Sequence, residues 1–300
     1  MSSPTHQAIV IGAGFAGLSA ALELARAGVQ TALVDDGYSG GLITNVGLIE
    51  DPGPYDAMAG ADLVGGLLGH AMEAGVDYQI GEILALDRTD NGWSLPDLGI
   101  SAPAIVLATG AKLRTLNVPG EERLTGLGVS QCAFCDGALY VGQSVVVVGG
   151  GDAAYQEALH LAEIGCSVTI LLRGTTPRAR QAYVERAAAT PGLTIRLQSE
   201  VVEVLGDAGV EAISVKNTQS GETDTLKTAA VFVFVGLEPQ TALAPPAAER
   251  VASGALTVNA AMQTTVPGIY AIGAARADYA GMLMDAVADA QAAANAIATN

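Results

Sequence analysis

The chain has 300 residues, half of them hydrophobic, with 37 glycines, few aromatics and a formal net charge of −17. That length admits two ordinary domains or one large one, and the glycine content suits an α/β protein with many strand-to-helix turns. The acidity argues against a nucleic-acid binder, which needs clustered Lys and Arg, and no apolar run is long enough to cross a bilayer uninterrupted.

In chain order, Gln7 to Ile11 is an apolar run without alternation, expected as a strand buried on both faces of a parallel sheet. Gly14 to Ala27 reads as a helix through the stripe Leu18, Ala21, Leu22 and Leu24, stopped by Gly28. Val29 to Val34 is the next strand and runs into Asp35-Asp36, completing a βαβ unit. Gly37 to Pro54 is loop-rich, Ala59 to Gly75 helical, and Tyr78 to Gly99 reads as short antiparallel strands turning at Asp90-Asn91-Gly92. Ala104 to Leu107 is another buried strand, leading into Ala108-Thr109-Gly110.

Asn117-Val118-Pro119-Gly120-Glu121-Glu122 is a turn and the best boundary. The pattern then restarts: strand Ser144 to Val148, helix Asp152 to Ile164, strand Ser167 to Leu172. Thr194 to Val204, Glu211 to Lys216 and Ala229 to Val235 supply further strands. A last strand, Gly268 to Ile272, precedes an alanine-rich helix from Gly281 to Ala298, and neither carries a glycine fingerprint. They are expected to complete the first domain. The fold class is therefore α/β, three-layered, with two Rossmann-like dinucleotide-binding domains. The first spans residues 1–116 and 246–300, and the second, 117–245, is inserted in it.

Both βαβ units open on glycine: Gly12-Ala13-Gly14-Phe15-Ala16-Gly17 and Gly149-Gly150-Gly151-Asp152-Ala153-Ala154. The first glycine permits a tight turn and the second lets a pyrophosphate approach the backbone. The last small residue lets helix pack on strand, and the helix N-terminus favours the phosphates. Asp35 stands about twenty residues on, where a carboxylate accepts from ribose hydroxyls and repels a 2′-phosphate. The first site should take FAD or NAD, with Asp36 the weaker candidate. The matching strand of the second unit ends in Leu172-Arg173-Gly174, with Arg178 and Arg180 nearby. Cations there suit the 2′-phosphate of NADPH.

Cys132-Ala133-Phe134-Cys135 is spaced to close an internal disulfide, and Cys166 and the scattered His6, His70 and His160 do not complete a zinc site. The pair therefore reads as redox-active, or else as two structural thiols. Asp136 follows directly, a proton carrier if buried or a helix N-cap. Cys166 reads as a core thiol. Three cysteines do not make a secreted disulfide framework. The polar start Met1-Ser2-Ser3-Pro4 lacks leader character, so the cytoplasm is the expected compartment.

The order GAGFAG, GGLI, ATGA, NVPGEE, CAFCDG, GGGDAA, FVFVGLEPQT and GIYAIG resembles the low-molecular-weight thioredoxin reductases of the pyridine nucleotide-disulfide oxidoreductase class. The resemblance implies FAD in the first domain. Lining residues there would include Gly41, Leu42, Asn45, Asp51, Thr109, Gly110, Gly273, Ala274 and Met282. It implies NADPH and the redox disulfide on the second domain, a homodimer, and a thioredoxin-like or small disulfide partner. By the same likeness Cys135 faces the flavin, Cys132 attacks the partner, and Asp136 is the general acid.

Departures from the family pattern gather at the two nucleotides. The usual His-Arg-Arg is Leu172-Arg173-Gly174, although Arg178 matches the downstream Arg. Gly-Gly-Gln-Leu is Gly40-Gly41-Leu42-Ile43, an Asn near the flavin falls at Asp51, and an Arg-Gln pair falls at Gly281-Met282. The usual Gly-Asp is Gly273-Ala274, a loss of about 1–3 kcal/mol of flavin affinity unless another group compensates. These changes leave open a donor other than NADPH, such as ferredoxin or a second flavin. A dithiol oxidase using oxygen and a redox sensor without turnover are further alternatives.

Overall fold

The structure is a computed structural model that describes residues 4–37, 39–49 and 57–299. The chain divides into two units, residues 1–112 with 238–300, and residues 113–237. The insert thus ends eight residues earlier than the expected 245. Residues 238–245 bond into unit 1, where Gln240 N donates to the Gly110 carbonyl and the Thr241 hydroxyl to the Gly254 carbonyl.

Unit 1 begins with β1 (Ala8–Ile11), α1 (Phe15–Arg26) and β2 (Thr31–Asp35). A 3₁₀ turn covers Gly41–Asn45, followed by α2 (Gly60–Glu73) and β3 (Asp77–Ile80). β3 pairs parallel with β2, so it joins the main sheet rather than an antiparallel ribbon. The ribbon consists of β4 (Asp87–Thr89), β5 (Gly92–Leu95) and β6 (Ile100–Ala102). β7 (Ala104–Leu107) returns beside β1, and β8 (Ala111–Leu113) leads out.

Unit 2 opens with α3 (Glu121–Leu124), β9 (Val129–Ser130) and the short turn α4 (Ala133–Asp136). The repeat follows as β10 (Ser144–Val148), α5 (Asp152–Glu163) and β11 (Ser167–Leu171). α6 (Gln181–Ala189) was not legible in the sequence, because it buries only Tyr183 and Ala187. The expected strand Thr194 to Val204 is two strands, β12 (Leu193–Arg196) and β13 (Ser199–Leu205). Gln198 breaks it with a left-handed φ of 50°, which no strand accommodates. β14 (Ala212–Asn217), β15 (Thr223–Lys227) and β16 (Ala230–Val233) complete the unit. β17 (Leu237–Pro239) leads back to unit 1, which ends with β18 (Ile269–Ala271) and α7 (Leu283–Ala298).

Each unit has a five-stranded parallel sheet, β18-β7-β1-β2-β3 in one and β12-β11-β10-β16-β9 in the other. In unit 1, Ala8 and Val10 face α1, α2 and α7, while Ile9 and Ile11 face the ribbon with Trp93 and Leu95. In unit 2, Val145 and Val147 face α5 and α6, while Val146 and Val148 face β13 and β14 through Val201, Ile213 and Val215. Both are three-layer sandwiches of helices, sheet and meander. The strands lack alternation because both faces are covered. Among the described residues no helix is long and apolar enough to cross a membrane.

Candidate functional site

The first glycine turn is shaped by close approach. Gly12 has a φ of +103°, and a Cβ on it would lie 2.4 Å from the Ala108 carbonyl oxygen. A Cβ on Gly17 would lie 1.8 Å from the Gly12 oxygen, so α1 meets the exit of β1 only without side chains. Gly14 caps α1 with no side-chain hydrogen bond. Phe15 is buried below it and Ala16 is partly buried. The Asp35 carboxylate accepts from Ala13 N at 2.5 Å and from Gly37 N at 3.0 Å. It therefore ties the glycine turn to the end of β2. Beside them lies a cavity of about 370 Å³ lined in part by Gly12, Asp35, Asp36, Thr109, Lys112 and Gln240. Asp36 lines it as Asp35 does. The Thr109 hydroxyl donates to the Gln240 carbonyl, and Gly110 (φ +67°) accepts from Gln240 N. A glycine cradle, an uncapped helix start and a carboxylate at the strand end fit the adenosine and pyrophosphate of a dinucleotide such as FAD.

A buried charge holds the other side of this turn. Gly273 has a φ of +60°, and a Cβ on it would lie 2.9 Å from Ala16 Cβ. Its N–H donates to Asp289 at 2.9 Å. Arg276 grips the same carboxylate at 2.7 and 2.8 Å, and Asp289 is 2% exposed. Ala274 carries no acid, yet α7 brings one to the adjacent backbone. At the expected ring end, Leu42 and Met282 are exposed apolar side chains, and Asn45 ends the 3₁₀ turn with Gly41 at its start. Asp51 lies outside the described residues.

The second glycine turn is built alike and charged differently. Gly149 has a φ of +153°, and a Cβ on it would lie 2.3 Å from the Phe234 oxygen and 2.9 Å from Ala154 Cβ. Gly151 caps α5 and has open space around it, and Ala153 beside it is exposed. Asp152 opens α5 and bonds Arg180 through its N–H and its Nε, each at 2.7 Å. Arg178 N and Ala179 N donate to the Gly150 carbonyl at 2.7 and 2.9 Å. The segment 178–180 is thereby folded back onto the glycine turn. Arg173 is 80% exposed, 4.0 Å from Glu200. The Arg178 side chain makes no ion pair among the described residues. This cationic end fits a phosphorylated nucleotide.

Cys132 and Cys135 form a disulfide, S–S 2.06 Å, across α4. Cys132 is the N-cap, and its Sγ accepts from Cys135 N at 3.1 Å. Asp136 is thus the last residue of α4, and it stands at the N-cap position of the 3₁₀ turn Gly137–Tyr140 that follows, without a side-chain cap hydrogen bond. The Ser130 hydroxyl donates to Asp136 at 2.6 Å and accepts from Cys132 N at 3.1 Å. Glu157 of α5 accepts from Ala133 N at 3.1 Å, and the Phe134 N–H lies near the same carboxyl. Burial pushes the Glu157 carboxyl up, and the two N–H groups partly offset it. Cys132 is 9% exposed, Cys135 is exposed, and the exposed Phe134 ring lies 5.7 Å from His160. Cys166 is buried and donates to the Tyr140 carbonyl at 3.3 Å.

With this geometry the comparisons with known proteins agree. The profile of the pyridine nucleotide-disulphide oxidoreductase family matches residues 6–296. The chain belongs to that family. It is 33% identical to the thioredoxin reductase of Treponema pallidum, over 98% of this chain and 96% of that one. With the thioredoxin reductase of Listeria innocua it shares 34% identity, over 95% and 90%. The crystal structure of Lactococcus lactis thioredoxin reductase superposes with a TM-score of 0.93 at 31% identity, covering 98% of each chain. That of T. acidophilum thioredoxin reductase gives 0.92 at 29%, again covering 98% of each. As a member of the pyridine nucleotide-disulphide oxidoreductases, the chain is a flavin-dependent disulfide oxidoreductase.

Ser130, Glu157, Gln240, Arg276 and Asp289 brace the glycine turns and the cysteine turn without having stood out in the sequence. Asp289 left a signal: it sits in the otherwise alanine-lined buried stripe Ala286, Asp289, Ala290, Ala293 of α7. A lone acid in an apolar stripe demands a partner. Ser130 and Glu157 left none, since each gains its role from backbone N–H groups that the sequence does not place.

Proposed function

We propose that this protein is a thioredoxin reductase in which FAD and NADPH serve a Cys132–Cys135 disulfide. The carrying observation is the closed disulfide whose turn is tied to a carboxylate, Asp136, through Ser130. The full-length likeness to thioredoxin reductases supports the reading. Bound FAD would supply a two-electron relay between a nicotinamide and the disulfide. Gly12, Gly14 and Gly17 would bring its pyrophosphate to the start of α1, and Asp35 and Asp36 would face its ribose. Arg173 and Arg178 would neutralise the 2′-phosphate of NADPH beside Gly149 and Gly151. Cys135 is assigned to the flavin and Cys132 to attack on the disulfide of a thioredoxin-like protein. Asp136, oriented by the Ser130 hydroxyl, would take and return the proton that sulfur releases. The working form is proposed as a cytoplasmic homodimer.

The test is anaerobic. NADPH should bleach the flavin of the purified protein within the mixing time, and catalytic NADPH oxidation should follow when a thioredoxin disulfide is added. Cys132→Ser and Cys135→Ser should keep the bleaching and lose turnover by at least about a thousandfold, the usual scale for a missing nucleophile. A flavin that stays yellow under NADPH, yet bleaches with reduced ferredoxin, would sink the NADPH assignment.

A further inference from the structure

The N–H groups of the cysteine turn are largely taken, and one partner is out of keeping with a reactive thiol. Cys135 N goes to Cys132 Sγ, and Asp136 N to the Cys132 carbonyl. Ala133 N goes to the side chain of Glu157, and the Phe134 N–H lies near that carboxyl. A helical turn that opens on a cysteine ordinarily lowers that thiol's pKa, because its free N–H groups carry partial positive charge. Here a carboxylate occupies the first of those groups, Ala133 N, while Cys135 N stays on the sulfur. We infer that Glu157 is a positioning residue that keeps Cys132 protonated in the reduced protein, and so makes the dithiol a stronger reductant than the bare turn would be.

The sign follows from the couple itself. Reduction breaks the Cys132–Cys135 bond with two electrons, and each sulfur takes one proton when its thiol forms. Stabilising a thiolate favours the reduced form and makes a disulfide oxidising; withdrawing that stabilisation does the reverse. Glu157 withdraws it through the Ala133 N–H it holds and through its own charge. Burial opposes ionisation of this carboxyl, and the two N–H donors oppose burial. The titratable groups packed on the turn are Asp136 within it, Glu157 and His160 from α5, Tyr140 from the 3₁₀ turn that follows, and Cys166 beside it. Asp136 is bonded to Ser130, and Cys166 to the Tyr140 carbonyl. Glu157 is the group on the first N–H of the turn.

The inference deepens the reductase reading. Its experiment reads sulfur alone, without NADPH or thioredoxin, so the two can fail separately. The intact flavoprotein is equilibrated anaerobically in reduced and oxidised dithiothreitol at pH 7. The reductant's two S–H groups supply both electrons and both protons, and its cyclic disulfide is the product. Acid quenching, alkylation and mass measurement then give the dithiol fraction. Glu157→Gln keeps an oxygen for the N–H groups and removes the charge. It should shift the equilibrium about tenfold toward the dithiol, roughly 30 mV for a two-electron couple. In a Cys135→Ser background it should lower the pH midpoint of Cys132 alkylation by about one unit. Unchanged equilibria and midpoints in a variant that melts like the wild type would overturn the inference, as would shifts in the opposite direction. Should Glu157→Gln not fold, the wild type still decides. It should take up two protons per disulfide reduced at pH 7, and uptake of one would overturn the inference.

Discussion

In unit 1, carboxylates reach the glycine turns from neighbouring elements: Asp35 from the end of β2 bonds Ala13 N, and Asp289 from α7 bonds Gly273 N. In unit 2 the corresponding strand ends without an acid. The carboxylate at the glycine turn belongs to the helix itself, Asp152, and its Arg180 partner is 60% exposed. The sheets share order, direction and layering, so the difference lies in where charge is stored and not in the backbone. Unit 1 buries charge to fix the turn before a ligand arrives. Unit 2 leaves Arg173 and Arg178 at the surface.

The largest expected effect is therefore at the buried pair. Asp289→Ala leaves the largely buried Arg276 without its bidentate partner, at about 3–5 kcal/mol, and should strip flavin from the purified protein. Asp152→Ala removes an exposed pair and should cost under about 1 kcal/mol. Thermal melting and flavin content on the two variants test this, and equal losses would erase the distinction. A smaller effect is expected from strain. Gly12→Ala and Gly149→Ala each force a side chain into a left-handed backbone against a carbonyl, costing about 1–3 kcal/mol before the clash is relieved. Only Gly12→Ala should lower flavin content; NADPH binding should be the casualty of Gly149→Ala.

Much of this was legible in the residues. Unbroken apolar runs such as Val145 to Val148 announce strands covered on both faces, and Gly12 and Gly149 announce turns where backbone meets backbone. What stayed hidden was contact between distant segments. Ser130 and Glu157 sit at sequence distances of 6 and 24 residues from the groups they bond, and no periodicity links them. β3 read as part of a ribbon because its length and polarity are those of an edge strand, and its pairing with β2 depends on α2 carrying the chain across. Asp35 stands where the sequence pattern expects a ribose ligand, and its bonds to Ala13 N and Gly37 N give it a part in building the turn that the pattern does not announce.

The cationic end of unit 2 comes next in size. Arg178 is held in place by its backbone bond to Gly150, while its side chain makes no ion pair among the described residues. Arg178→Ala should raise the KM for NADPH about tenfold, the worth of one charge-assisted hydrogen bond, and leave that for NADH unchanged. Equal effects on both nucleotides would place Arg178 at the pyrophosphate instead.

The smallest effect is confined to alkaline solution and sharpens the contrast in stored charge. Tyr279 is lifted from the ordinary 10.0 to about 12, first by burial and then by Asp285 and Asp289, against the lowering influence of Arg276. Below pH 10 the phenol is neutral in folded and unfolded chains alike, and its contribution to stability is whole. As pH rises further, the unfolded chain releases a proton that the folded chain retains, so unfolding gains and stability falls until the folded pKa near 12 is passed. Tyr279→Phe should flatten that part of the stability profile without altering it at neutral pH. If the variant and the wild type lose stability in parallel above pH 10, the alkaline transition belongs to other groups, and the buried cluster around Asp289 is not what sets it.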